Sequence, residues 1–339
     1  MNIKRLIHLT IALSSFSFTQ TYATTTLTMA NWLPPSHPLV KNLMVPFSEE
    51  ISKVTNGSVT VNMLNAPLGH PAAHYDFAVN GIADITFGVQ GYTPGRFKTT
   101  NLVELPFLGD SAEAISVAYW RTYEAMLKKA GEYDQVKLLS LFAHGPGAIF
   151  TKNKPLTEVD ALAGVKLRVG GGIVHEVASA LGATPVESPA SKAYELLSQG
   201  VVNGILFPHE SVAFFKLIPL LDQSLTVPGG LYNTSFYIVM NKSKWNRLTA
   251  EEQAAIDNIS GEVLARLAGK MWDKADAEGL AAMEDQIQTS VASKEQMTAI
   301  SAKLQPVIDA KLQEVAEANI NANAALNFLQ TEIARVETE

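Results

Sequence analysis

The residues with the clearest chemical potential lie in Gly164-Val-Lys-Leu-Arg-Val-Gly-Gly-Gly-Ile-Val174. Val165, Leu167 and Val169 alternate with Lys166 and Arg168, so a period of two puts the apolar side chains on one strand face and the cations on the other. Three glycines follow. Ile173, Val177 and Leu181 then recur at helical spacing. Arg168 is therefore expected one residue from the carboxyl end of a short strand, just before a strand-to-helix turn. Ligands collect at that edge of open α/β sheets. A guanidinium there presents a planar fork of donors that matches a carboxylate. A structural salt bridge or a solvated edge cation is the alternative on these residues alone.

Other chemistries find less support. His70 and His74 are four apart, as two metal ligands on one helix face would be, but Pro71 lies between them and no glutamate completes a metalloprotease motif. A surface loop is the expected reading for that pair. His144, before Gly145-Pro146-Gly147, reads as a strand-end residue in a glycine turn. Gly170-Gly171-Gly172 lacks the spacing of a dinucleotide fingerprint or phosphate loop, and no Gly-x-Ser-x-Gly element is present. The chain contains no cysteine, which excludes disulfides, thiolate catalysis and cysteine metal sites. No enzyme, cofactor or metal is expected.

The elements around Arg168 suggest an α/β protein. Strand patterns at 27–32, 58–64 and 83–87 alternate with helical patterns at 39–54 and 71–80, the signature of a mostly parallel sheet. A helical segment at 112–130 and a strand at 136–142 begin a second series, followed by extended 148–151, the Arg168 strand, 184–187, a helix at 190–199 and a strand at 205–207. The β-rich run 232–240 is long enough to travel between two lobes. Thr249-Ala-Glu-Glu252 is a capping-box pattern that opens a helical stretch to about 286, interrupted by glycines at 261, 269 and 279. Helix resumes at 294–318 with a break or kink expected at Pro306, and the tail suggests a docked terminal helix. Trp32, Tyr92, Phe207 and Tyr232 fall near strand ends. With Arg168 they would make an apolar-walled pocket with one charged anchor.

Residues 1–23 read as a secretory signal peptide: Lys4 and Arg5 precede an apolar stretch at 6–18, and Thr21-Tyr-Ala23 suits cleavage after Ala23. The stretch is too short and too serine-rich for a membrane anchor. Losing Lys4 and Arg5 takes the formal charge from -7 to -9. So acidic a chain, without basic clusters, is a poor nucleic-acid partner. With 47% hydrophobic residues it has ample material for a large core, and its length suits two domains.

The sequence also resembles a family over essentially the whole mature chain. The matching segments are Trp32-Leu-Pro-Pro-Ser-His-Pro38, Thr55-Asn-Gly57, Gly81-Ile-Ala-Asp84, Leu105-Pro-Phe107, Leu162-Ala-Gly-Val-Lys-Leu-Arg-Val169, Leu181-Gly-Ala183, Tyr194-Glu-Leu-Leu-Ser-Gln-Gly200, Val201-Val-Asn-Gly204 and Met240-Asn-Lys-Ser-Lys-Trp245. In this order and spacing they resemble the DctP-type substrate-binding proteins of tripartite ATP-independent periplasmic (TRAP) transporters. The resemblance implies a two-lobe periplasmic-binding-protein fold with hinge strands and a long helix spanning both lobes, closing on its ligand like a clamp. Lobe I is expected from 24–148 plus about 236–275, and lobe II from 149–235 plus about 276–339.

The resemblance also implies that Arg168 salt-bridges a ligand carboxylate. Many relatives carry a second arginine three residues before a threonine; here that threonine is Thr151 and the position is Ala148. Many with polar ligands have asparagine before the proline that follows the next strand, where this chain has Phe207 before Pro208. Both changes remove polar contacts and point to a monocarboxylate with an apolar or aromatic body. Trp32, Tyr92, Phe207 and Tyr232 are expected to wall it, with Gln90, Asn233 and the backbone of Gly170 and Gly171 supplying hydrogen bonds. The expected protein is a periplasmic monomer that captures a small organic acid for the membrane permease subunits of a TRAP transporter. A periplasmic sensing module and an exported two-lobe enzyme are the alternatives.

Overall fold

A computed structural model describes residues 24–339; the signal-peptide reading of 1–23 lies outside them. The architecture is α/β, with two sheets. The first contains β1 (Thr25–Met29), β2 (Val59–Met63), β3 (Ile85–Val89), β4 (Val136–Ala143) and β10 (Ser235–Asn241), in the order β2-β1-β3-β10-β4. The second contains β5 (Ala148–Thr151), β6 (Lys166–Val169), β7 (Thr184–Glu187), β8 (Gly204–Phe207), β9 (Gln223–Thr226) and β11 (Gln288–Val291), in the order β11-β9-β5-β8-β6-β7. β1 pairs in parallel with β2 and β3, whereas β10 runs antiparallel between β3 and β4. Every residue of β10 is buried, which accounts for its continuous apolar and aromatic run.

The chain crosses between the sheets after β4 and again before β10. These crossings pair with each other: the His144 N–H donates to the Thr234 carbonyl (3.1 Å) and the Gly147 N–H to the Tyr232 carbonyl (2.9 Å). A Cβ at Gly147 would lie 2.0 Å from the Tyr232 ring, so only glycine admits that ring against the crossing.

A third connection is the helix Gly261–Ala282. The capping box at Thr249 and Glu252 forms as expected, but it opens a separate helix, Ala250–Asn258. The break falls before Gly261, at φ +60°, and the other two glycines do not interrupt the helix. They let it pack closely instead. A Cβ at Gly269 would lie 2.3 Å from Glu113 Cα, in the helix Ala112–Thr122, and one at Gly279 would lie 2.5 Å from the Glu210 backbone nitrogen, in the helix His209–Phe214. One helix thereby touches elements belonging with both sheets.

One further expectation is corrected and one is narrowed. Of the break or kink expected at Pro306, the break is absent, because the helix Lys294–Glu317 runs through it. Pro306 lies on the exposed side, where water can satisfy the carbonyl it frees, while Ile300, Leu304 and Val315 keep the opposite face docked. The last helix, Ala322–Val336, was assigned with the second lobe, yet it packs on Ala112–Thr122 beside the first sheet. Buried Ala325, Leu329, Ile333 and Val336 form the contact face, and Arg121 pairs with Glu332 (2.9 Å) and Glu339 (3.0 Å). The sequence reading also missed β9, β11 and the helix His209–Phe214. β11 is exposed throughout, and its three polar residues before Val291 show no alternation.

Candidate ligand-binding site

Arg168 is the penultimate residue of β6, flanked by β7 and β8 and followed by the glycine turn into the helix Ile173–Ala180. Its side chain is 2% exposed. The guanidinium donates from Nε (2.9 Å) and Nη2 to the Ser188 carbonyl, and its Cζ lies 4.4 Å from the Phe207 ring centroid. Among the described residues no carboxylate comes within 4.0 Å of it. Desolvation pulls its pKa below the usual arginine value, and the facing Tyr92 and Tyr232 hydroxyls only partly oppose that. A buried cation without an anion is costly and is retained in proteins where a partner completes it. The salt-bridge alternative for Arg168 thus fails, and so does the solvated one.

The guanidinium faces a small cleft between the two sheets. Trp32, Tyr92, Gly170, Phe207 and Tyr232 line it together with Arg168, so six of the nine residues singled out from the sequence converge there. Trp32 is anchored by its indole N–H, which donates to the Phe87 carbonyl (3.1 Å), and Tyr92 stands edge-on to it at 5.9 Å. The Tyr92 hydroxyl accepts from the Ala190 N–H (3.0 Å), tying the end of β3 to the opposite wall. Backbones also meet across the cleft: a Cβ on Gly171, at φ +94°, would lie 2.8 Å from the Gly91 carbonyl oxygen.

Gly171 is not among the lining residues, and the two side chains expected to supply hydrogen bonds are placed elsewhere. Gln90 does not reach the cleft. Its amide donates to the Tyr119 hydroxyl (2.9 Å) and to the Tyr133 hydroxyl, because the turn after β3 directs it into the first lobe's core. Asn233, between two lining residues, is fully buried behind the wall, and neither its amide nitrogen nor its oxygen has a partner. His74, read as part of a surface loop, is also fully buried, with burial lowering its pKa to about 4, whereas His70 is exposed and caps the turn Pro71–Ala73.

Several lining residues were not foreseen: His37, Ser211, Phe215, Thr234, Phe236 and Trp272. His144 joins them from the crossing after β4, held neutral by burial, which lowers its pKa to about 4. Glu210, next to the lining Ser211 and with Oε1 3.6 Å from Nε2 of the lining His37, is 2% exposed, and burial pushes its carboxyl up to about 7. Arg168 is the one cation among the described lining residues. The arrangement can hold one carboxylate at one end and an apolar ring against stacked aromatic walls, but offers few donors for a polyhydroxylated body.

Comparison with known proteins agrees with this geometry. The family model described as bacterial extracellular solute-binding protein, family 7 (DctP), matches residues 29–314. A TRAP periplasmic solute-binding protein from Bordetella bronchiseptica, solved with bound (R)- and (S)-mandelate, is 39% identical, with a TM-score of 0.90 over 92% of this chain and 99% of that one. A TRAP solute-binding protein from Rhodoferax ferrireducens, in complex with copurified benzoate, is 28% identical, with a TM-score of 0.86 over 93% and 99%. The outer membrane transporter protein TsaT of Comamonas testosteroni is 27% identical across 98% of this chain and 99% of its own length. With its two-sheet fold, its strand-end arginine and a family match spanning most of its length, this chain belongs to the DctP family of TRAP solute-binding proteins.

Proposed function

We propose that this protein captures an aromatic or apolar 2-hydroxy or 2-oxo monocarboxylate in the periplasm and delivers it to TRAP permease subunits. The observation that carries this reading is the buried Arg168 guanidinium, without a carboxylate partner and stacked on Phe207 inside an aromatic-walled cleft. Its fork takes the ligand carboxylate, and the Trp32, Tyr92, Phe207 and Tyr232 rings take the body. Each buried CH₂ is worth about 0.8 kcal/mol, while each hydroxyl left unpaired costs about 1 to 3 kcal/mol. The bound mandelate and benzoate of the similar structures support an aromatic monocarboxylate, and mandelate supports the 2-hydroxy group as well.

The mature chain begins after about Ala23 and works as a monomeric capture protein without catalytic turnover. Its moving bodies are 24–148 with about 236–275, and 149–235 with the strand near 288–291; the terminal helix rides on the first. Ligand that contacts both bodies favours the closed state by its differential affinity for the two. Calorimetric titration tests the ligand class. Mandelate and related 2-oxo acids should bind tighter than sialic acid, a hexuronate or a C4-dicarboxylate. Tighter binding of any of those three, or conversion of the bound acid to product, would overturn the reading.

A further inference from the structure

The cleft has a second polar end, beyond the Phe207–Phe215 pair, whose rings stack with centroids 5.9 Å apart. There the His37 ring sits against Phe214 (4.5 Å), Phe215 (5.9 Å) and Trp272 (6.0 Å). His37 Nδ1 accepts the Leu39 N–H at 3.1 Å, so the neutral ring carries its proton on Nε2. That Nε2–H lies 3.6 Å from Glu210 Oε1, too far for a direct hydrogen bond. Glu210 Oε2 accepts from the Ser211 hydroxyl (2.7 Å), but Oε1 is buried without a partner. Trp272 Nε1, a donor only, is likewise buried and unpartnered. One donor, Trp272 Nε1, and one acceptor, Glu210 Oε1, are therefore buried and unsatisfied beside the His37 ring at one end of the site, in a protein interior where such groups are nearly always paired.

We propose that His37, Trp272 and Glu210 form a second subsite that takes a hydroxyl carried on the ligand's ring, remote from the carboxylate held by Arg168. This rests on the aromatic-acid reading above and deepens it. A hydroxyl both accepts and donates, so it can receive the His37 Nε2–H or the Trp272 Nε1–H while donating to Glu210 Oε1. A second carboxylate matches the subsite poorly. It could accept the two donors, but it would face Glu210 and the nearby Asp276, whose Oδ1 accepts the Glu210 N–H at 2.9 Å. Two more titratable side chains stand close by: His209, with Nδ1 3.3 Å from Asp276 Oδ2, and His144, whose ring centroid is 6.1 Å from that of Trp272 and which burial holds neutral. The subsite thus discriminates by hydroxyl count and position at the far end of a monocarboxylate, a selection that Arg168 cannot make.

The test is a comparison of mandelate with 3-hydroxymandelate and 4-hydroxymandelate by calorimetry on the full mature chain. At least one hydroxylated acid should bind wild type about five- to tenfold tighter than mandelate, the range expected of one buried hydrogen bond. The ratio of the two dissociation constants should fall towards one in Glu210→Met, which removes the acceptor, and should fall in Trp272→Phe, which removes one donor, whatever happens to the affinity for mandelate itself. Mandelate binding with no gain from either hydroxyl overturns the subsite and leaves the aromatic-acid reading standing. No binding of any of the three overturns both. A ratio unchanged in both folded variants assigns the preference to other residues and also overturns the subsite, and the wild-type comparison decides even if a variant fails to fold.

Discussion

Replacing Arg168 by methionine should abolish ligand capture while leaving the unliganded fold intact. The two effects come from the same geometry. In the closed cleft the guanidinium is 2% exposed and is the one cation among the described lining residues, so no neighbour can take over the carboxylate. Removing one member of a buried, hydrogen-bonded charge pair costs about 2 to 5 kcal/mol. That corresponds to a loss of affinity between about 30-fold and several thousand-fold. The stability effect runs differently. The substitution forfeits the bonds to the Ser188 carbonyl, about 1 kcal/mol, but it also removes a desolvated cation that has no carboxylate beside it. Methionine keeps an unbranched apolar stem against Phe207. The unliganded melting temperature should therefore stay within about 3 °C of wild type or rise, since 1 kcal/mol moves a protein of this size by about 2 °C. Calorimetric titration with mandelate and thermal melts with and without it measure both quantities. Binding within about threefold of wild type would refute the anchor role. A fall of ten degrees or more in the unliganded melt would show that Arg168 is structural after all.

Two further outcomes follow from contacts already described. Gly171→Ala places a methyl 2.8 Å from the Gly91 carbonyl and strains a φ of +94°, so the lobes should stop short of closure; saturating ligand should then leave the X-ray scattering radius of gyration at its unliganded value, and wild-type compaction in the variant would refute that contact as a limit on closing. His74 has its pKa lowered by burial from 6.5 to about 4, so its contribution to stability is full above pH 6.5 and is lost as pH falls towards 4. His74→Phe should consequently lose less melting temperature than wild type between pH 6.5 and 4, and parallel melting curves across that window would refute the assignment.

The fold was readable where local pattern and tertiary role coincide. The alternation at 165–169, followed by three glycines and a helical repeat, fixed both β6 and the place of Arg168 at its end. Gly269 and Gly279 misled because a glycine in a helix signals weakness locally, and only the partner helices reveal that the missing side chain makes room for Glu113 and His209. The terminal helix carried a clear apolar stripe, but nothing in 322–336 says which sheet that stripe covers. For the site, backbone position was legible and side-chain direction was not. Gln90 stands at a strand end as expected, yet Tyr119 and Tyr133, some thirty and forty residues on, turn its amide inward. His37 and Trp272 meet only because a long helix brings position 272 back to the first loop, a convergence that no local spacing encodes.

The helix Gly261–Ala282 is pinned at Gly269 to one lobe and at Gly279 to the other. Ten residues of α-helix fix those two pins about 15 Å apart, whatever the lobes do. A swing of one lobe therefore cannot stretch the rod between them; it can only flex it, as a leaf spring flexes between two clamps. Trp272 and Asp276 are mounted on the flexing span, one at the cleft wall and the other beneath Glu210. In the clamp proposed above, the element that would resist opening also carries part of the cleft wall, so stiffness and grip would be set by the same ten residues.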